Sequence, residues 1–241
     1  MLTSFRGLTV ATLAAASFLS STAASGQPAQ EVAAEAPPLA VTGSVGAVTD
    51  YRFRGVSLSG GDPALQGGAT ITHESGFYAG DLELAPFVGW SGSLSEAIGL
   101  DVGLLRYGYP TNAPGVDAEF FEPYATLSST FGPVQAKLGV AYAWEQDSLG
   151  GNDNLYLFTK LSAGIPNTPI TLNAGLGYTD GALAPPLLAG TADDTGFDWT
   201  LGASLTVLGN VSLGVAYTGV EGPSIDGFTD DAIVGSVTFI F

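Results

Sequence analysis

Basic residues are scarce in this chain, six against twenty-three acids, and two of the six fall within the stretch DYRFRG at residues 50–55. Side chains at i and i+2 of a β-strand share a face, so Asp50, Arg52 and Arg54 are predicted to point one way and Tyr51 and Phe53 the other. Charges arranged in this manner can form a constriction whose field sorts ions and small polar solutes. They can equally pair with carboxylates and brace a wall where the dielectric is low, and the two roles are compatible. Nucleophilic chemistry is poorly provided for, because the chain has no cysteine and a single histidine, His73, in the turn-like stretch HESG. A lipase- or acyltransferase-type site needs a serine beside a histidine base. The loop acids Asp193, Asp194, Asp230 and Asp231 are the carboxylates that a histidine-free hydrolase or a divalent cation would use, although loop acids are usually only solvated.

The composition narrows the class further. Residues 1–24 carry Arg6, an apolar stretch from Leu8 to Leu19 and small residues up to Ala24, the layout of a cleaved secretory signal. Cleavage is expected after Ala24, with Gly26 and Ala34 as alternatives, and residues 25–38, rich in Ala, Pro and Glu, read as a flexible periplasmic leader. Arg6 falls within the signal, so the strongly acidic remainder excludes a nucleic-acid partner. Charged residues make up 12 % of the chain and glycines number 34, with a mean hydropathy of +0.31. Water-soluble domains carry about 25 % charge, so something other than water must cover much of the surface.

The elements that would position these charges are long strands. In PVQAKLGVAYAWEQD, Val134, Ala136, Leu138, Val140, Tyr142 and Trp144 alternate with Gln135, Lys137, Gly139, Ala141, Ala143 and Glu145. The same split recurs at 170–179, 197–205 and 211–218. Runs of about 10 to 14 residues suit a tilted strand crossing a bilayer better than the roughly 5 to 6 of globular strands. An apolar face opposite Gly, Ser, Thr and Ala fits a transmembrane barrel over residues 39–241, lipid outside and lumen inside; a soluble β-sandwich would place charge on its outer faces. The fold class is therefore all-β, an antiparallel up-and-down β-barrel. Short turns at HESG, FGP, IPNTP and LGN alternate with longer polar connections, and an even strand number requires FYAGDLELAPFVGWS to be two strands folded near Glu83 to Pro86. That gives twelve strands, with ten as the alternative. Tyr51, Phe53, Tyr107, Tyr109, Phe121, Tyr142, Trp144, Tyr178, Phe197, Trp199 and Tyr217 then fall at the extracellular ends, and Trp90, Phe131, Phe239 and Phe241 at the periplasmic ends, as interfacial girdles do.

The series YRFRGVS (Tyr51 to Ser57), PALQGG (Pro63 to Gly68), HESGFYAG (His73 to Gly80) and RYGYP (Arg106 to Pro110) resembles the TorF family of porin-like Gram-negative outer-membrane proteins, whose solutes are mostly unassigned. The resemblance covers the first third of the mature chain; beyond Ala118 the match is generic barrel pattern, and the segment after Gly80 is shorter than in that family. It implies an outer-membrane porin. The terminal alternation Ile233, Gly235, Val237, Phe239, Phe241 resembles the signal by which such barrels engage the barrel-assembly machinery, with Phe241 last. With the apolar set facing lipid, the lumen is predicted to hold Asp50, Arg52, Arg54, Asp81, Asp101, Glu122, Lys137, Glu145, Lys160 and Asp198, and Glu83 if the hairpin register allows. The expected function is passive diffusion of ions or small polar solutes through a narrow, acid-lined lumen with a mild preference for cations, without cofactor or metal. A nonconducting structural or adhesin-type barrel and an outer-membrane hydrolase are the alternatives.

Overall fold

A computed structural model describes residues 38–82, 85–108 and 119–241. The expected signal, the leader up to Pro37, Glu83, Tyr109 and part of the RYGYP motif lie outside them. Twelve strands close into an antiparallel barrel. They are β1 (Leu39–Val48), β4 (Ala64–His73), β5 (Phe77–Leu82), β6 (Ala85–Ser93), β7 (Gly99–Tyr107), β8 (Phe120–Phe131), β9 (Val134–Gln146), β10 (Asn152–Gly164), β11 (Ile170–Gly181), β12 (Thr195–Val207), β13 (Val211–Val220) and β14 (Ala232–Ile240). Two very short strands, β2 (Arg52–Phe53) and β3 (Val56–Ser57), pair only with each other. The walk from turn to turn thus gives the right number, and β5 and β6 form the hairpin that completes twelve, with Leu82 opposite Ala85. Among the described residues no helix is long and apolar enough to cross a membrane; the strands do the crossing, since closure leaves no backbone group unpaired toward lipid.

Alternation decides which side each residue faces. Leu65, Leu127, Leu138, Leu157, Leu176, Leu201, Val215 and Ile233 are all exposed on the outside, an apolar band around the barrel that in water would be a very large exposed patch. Closure is made by β1 against β14, with Ser44 opposite Ile240 and Val48 opposite Ser236. Phe241 extends that seam: its carbonyl accepts from Gly43 N at 2.7 Å and its N–H donates to Gly43 O at 2.9 Å. Its ring lies over Gly43, where a Cβ would come within 2.6 Å of the ring edge, and it stacks on Phe239.

The opening stretch departs from the expectation. β1 stops at Val48, and DYRFRG is not part of the wall. It turns inward as a hairpin, with Arg52 opposite Ser57 and Phe53 opposite Val56, about a two-residue turn in which both Arg54 (φ 48°) and Gly55 (φ 79°) are left-handed. Two positive-φ residues form the primed turn whose twist matches its strands. Gly55 is further required by closeness, since a Cβ there would meet Val220 Cγ1 at 2.4 Å and Gly219 O at 2.8 Å. Tyr51 and Phe53 therefore do not face lipid: Tyr51 is buried in a cluster with Ala85, Tyr107, Phe120, Ala143 and Leu149, and Phe53 packs against it. Tyr107 likewise leaves the expected girdle and stacks on Phe120 inside the barrel, 4.4 Å between centroids.

Candidate functional site

The hairpin occupies the barrel at the end that carries the long loops. Its edge is tied to the connection after β13, where Ser57 N donates to Phe228 O at 2.7 Å. Arg52 anchors the same side. Its Nε bonds Asp50 Oδ2 at 2.5 Å, Nη1 bonds Gly55 O at 3.0 Å and also Asp230 O, and Nη2 bonds Asp230 Oδ1 at 3.0 Å. Asp50 in turn accepts from the hydroxyls of Ser57 (2.6 Å) and Ser59 (3.1 Å). Arg54 reaches the other way. One guanidinium nitrogen bonds both oxygens of Glu122 on β8 at 2.7 Å, and the planar group lies 3.9 Å from the Tyr156 ring centroid and 4.7 Å from that of Phe53. Glu122 also accepts from Tyr107 Oη at 3.0 Å. Its charge is thus buried only with partners, as low dielectric demands. Arg54 Nη1 and Asp198 Oδ2 are buried without a hydrogen-bond partner, so the site is not fully satisfied.

A second inward element lies beside the hairpin. The connection after β11 carries a one-turn helix, α1 (Pro185–Leu188); Leu183 N donates to Asn154 Oδ1 at 2.8 Å, and Pro186 packs where a Cβ on Gly196 or Gly222 would sit. Burial follows from this filling. Inward residues near the loop end, including Glu122, Ala143, Asn154, Tyr156, Thr179, Asp198 and Thr218, are buried, whereas those toward the turn end, such as Lys137, Lys160, Asn173, Gly202, Gly214 and Ser236, are part-exposed. The barrel is a filled neck above a solvent-reached cup.

Many inward glycines are seats for rings. Tyr78 covers Gly89, Phe87 covers Gly80, Phe158 covers Gly139 and Tyr156 covers Gly177, each so closely that a Cβ would fall within 2.5 Å of the ring or its hydroxyl. These glycines of β5, β6, β9 and β11 thus hold rings and open no space in the lumen. Opposite, along β11 to β14 and β1, the inner face is mostly small and polar, with Thr171, Asn173, Gly175, Thr200, Gly202, Ser204, Gly214, Ser236 and Gly46 beside the apolar Val48, Val234 and Ile240, as the cross-strand register fixes. The lumen has one aromatic wall and one wall of small hydroxyl-bearing residues.

Of the residues predicted to line the lumen, Asp50, Arg52, Arg54, Glu122 and Asp198 are gathered in the neck. Asp198 receives Tyr156 Oη at 3.3 Å. Asp101, on β7 beside the strand of Glu122, sits with Tyr78 and Tyr124: Tyr78 Oη donates to Asp101 Oδ1 and contacts Tyr124 Oη, and Tyr124 Oη lies 3.4 Å from the same carboxylate. Lys137 and Lys160 face each other below. Asp81 is a correction. The register Gly68 to Leu82 and Ala69 to Asp81 puts Leu82 inside and Asp81 on the exposed outer face, because pairing with β4 on one side and of Leu82 with Ala85 on the other fixes a parity that the polar–apolar pattern of this short stretch obscured. Glu145 is also displaced: the β9–β10 register slips between Asn152 and Asn154, leaving Glu145 exposed at the rim. Sequence reasoning placed Asp230 among the loop acids without pairing it with Arg52, and it missed the rings of Tyr78, Tyr124 and Tyr156; only the glycine-aromatic alternation hinted at the latter.

His73 ends β4 at the turn end. Its Nδ1 accepts from Ser75 N at 3.1 Å and lies 2.7 Å from Ser75 Oγ, a local turn contact in which both residues are exposed. The loop acids do not converge: Asp193 caps Thr195, Asp231 takes Tyr217 Oη and Asp230 takes Arg52. Among the described residues there is no group of three metal-ligating side chains.

A family model for bacterial proteins of unknown function, Gcw_chp, matches residues 32–238. The chain belongs to the Gcw_chp family. No curated protein sequence matches this Gcw_chp member. Its fold has solved counterparts. A NanC porin structure aligns with a TM-score of 0.54 at 9 % identity, covering 83 % of this chain and 98 % of that one. A KdgM porin gives 0.47 at 8 % identity, covering 84 % and 98 %, and an outer membrane channel from Pseudomonas putida F1 gives 0.49 at 12 %, covering 86 % and 98 %. The Gcw_chp chain thus has the closed twelve-stranded fold of the NanC structure, with an apolar band that places it in the bacterial outer membrane.

Proposed function

We propose that this barrel is a passive channel for ions or small polar solutes, with the inward hairpin as its constriction. The observation that carries this reading is the contrast between a neck held by ionic contacts and a cup lined by hydroxyls and glycine. Constrictions built from inward charges sort solutes by field as well as size. Twelve strands lie between small barrels filled by side chains and wide aqueous porins, so the passage is narrow, and it runs along the small-residue wall of β11 to β14 once the hairpin moves aside. Asp50 and Glu122 are paired in place with Arg52 and Arg54, and Asp198 lies against the Tyr156 hydroxyl. The acid excess lies mainly on loops at the neck, and we assign the expected preference for cations to that mouth. The resemblance to the porin-like TorF family and the porin fold support the reading, which assigns no catalytic residue. We also assign Phe241, at the closing seam, as the contact for the barrel-assembly machinery.

The burial of the neck favours a second reading, a permanently filled barrel. Refolded protein in planar bilayers separates the two. Steady current steps that grow in the Arg52→Ala/Arg54→Ala variant support a channel narrowed by the hairpin. Silence in both proteins, with folding shown by heat-modified gel mobility, refutes it.

A further inference from the structure

Asp81 is an exposed carboxylate on the lipid-facing side of the barrel. It stands four residues up β5 from Phe77, which pairs with Trp90 of the turn-end girdle. At about 3.4 Å per residue and a tilt of about 40° this is a height of about 10 Å, well inside an apolar band about 25 Å tall. An ionisable group at that depth is costly in lipid and calls for a partner. Among the described residues Asp81 has none: its cross-strand neighbours on the outer face are Ala69 and Pro86, and the ion pairs join other acids. The complementary charge is on the same face. Phe87 pairs with Leu105, so Pro86 and Arg106 fall side by side in the next row, and the outward order across three strands is Asp81, Pro86, Arg106. Arg106 bonds Glu119 through Nη2, and its side chain is still 39 % exposed; a guanidinium has donors enough for a second carboxylate.

We propose that two copies of this barrel pair through the outer face of β5 to β7, Asp81 of each copy meeting Arg106 of the partner subunit. A two-fold axis along the membrane normal beside Pro86 makes this contact twice, because in an isologous interface residue i meets j and j meets i. Two strand spacings and a tilt of about 40° set Asp81 and Arg106 about 6 Å apart in depth, a difference that a long arginine side chain spans. Ala69, Ala79 and Pro86 are exposed around Asp81 and keep the face low, so that two walls can approach closely, as small residues allow between membrane segments. The pairing does not depend on whether the lumen conducts.

The test uses the full barrel reconstituted in lipid vesicles. Pro86→Cys marks the proposed axis, and Leu176→Cys, exposed on the outside of β11, marks the far wall; the chain has no cysteine of its own to compete. Oxidation is expected to join Pro86→Cys into a covalent dimer whose yield persists as lipid is added, whereas any Leu176→Cys dimer is lost on that dilution. Val88→Cys, on the outer face of the same strand, replaces Pro86→Cys if loss of the proline disturbs the hairpin. In the cysteine background, Asp81→Arg and Arg106→Asp should each lose the dimer alone and regain it when reconstituted together, since one variant is basic at both positions and the other acidic at both. Heat-modified gel mobility shows that each has folded, and Asp81→Asn, which should weaken the dimer, serves if Asp81→Arg does not fold. Dimers that form equally at both walls, at neither, or regardless of these charges overturn the proposal. So does a barrel that stays monomeric in vesicles while Pro86→Cys is captured in whole cells by a different outer-membrane protein.

Discussion

Replacing Glu122 by glutamine should loosen the hairpin from the barrel. The Arg54 side chain is 7 % exposed and that of Glu122 1 %, so the substitution leaves a guanidinium charge in the neck with its ring contacts and one remaining carbonyl acceptor. Breaking a buried ion pair by removing one partner costs about 3 to 5 kcal/mol. Because glutamine still accepts one hydrogen bond, the lower figure applies, and at 1.4 kcal/mol per factor of ten the population with the hairpin withdrawn rises roughly 100-fold. The chain has no cysteine, so Val56→Cys, buried at the hairpin's second strand, reports withdrawal cleanly through its rate of labelling by a membrane-impermeant maleimide. In that background Glu122→Gln should label about 100 times faster, and Arg54→Met/Glu122→Gln, which removes both charges, should return most of the way to the parent rate. Acceleration below about threefold, or a double variant as fast as the single one, would refute the idea that this pair holds the hairpin in place.

Three further outcomes test other parts of the structure. Gly103→Ala places a Cβ 2.7 Å from Tyr124 Oη and from Val88 O and should cost about 1 to 3 kcal/mol in urea unfolding, while Gly175→Ala, whose nearest neighbours would be 3.9 Å away, should stay within about 0.5 kcal/mol; equal losses would remove the ring-seat explanation. Asp81→Asn should leave conductance and reversal potential as they are in wild type, since Asp81 is outside the lumen, and a change in either would return it to the pore. Asp230→Asn weakens one of the charge-assisted bonds on Arg52 while the Asp230 carbonyl contact persists, so Val56→Cys labelling should quicken by less than in Glu122→Gln; a larger effect would make Arg52 the principal anchor.

The barrel was legible because its signal is repeated: many strands carry the same parity, and the alternation of short and long connections fixes up and down. Parity also located Asp101, Glu122, Lys137, Lys160 and Asp198 inside. It failed where a stretch was too short to show a period. In DYRFRG the alternation is real, but Arg54 and Gly55 form a turn, and the signal that distinguishes a hairpin from a wall strand is the pair of short alternating runs flanking that turn. Asp81 failed for the related reason that its strand has only six residues, too few for the polar–apolar pattern to show which face is turned inward. The ring seats were beyond the pattern, since glycine marks both open space and close approach.

The same short hairpin makes the barrel uneven in height. Six residues of β5 at about 3.4 Å each, tilted by about 40°, rise only about 15 Å, whereas the apolar band of such barrels stands about 25 Å tall. The thirteen-residue strands β9, β10 and β12 lie across the barrel from it. Lipid of uniform thickness cannot match both sides. The bilayer must thin beside β5 and β6 or the barrel must lean toward them, each at a fraction of a kcal/mol per Å of mismatch, so membrane thickness itself acts on the wall nearest the buried Tyr51 and Ala85.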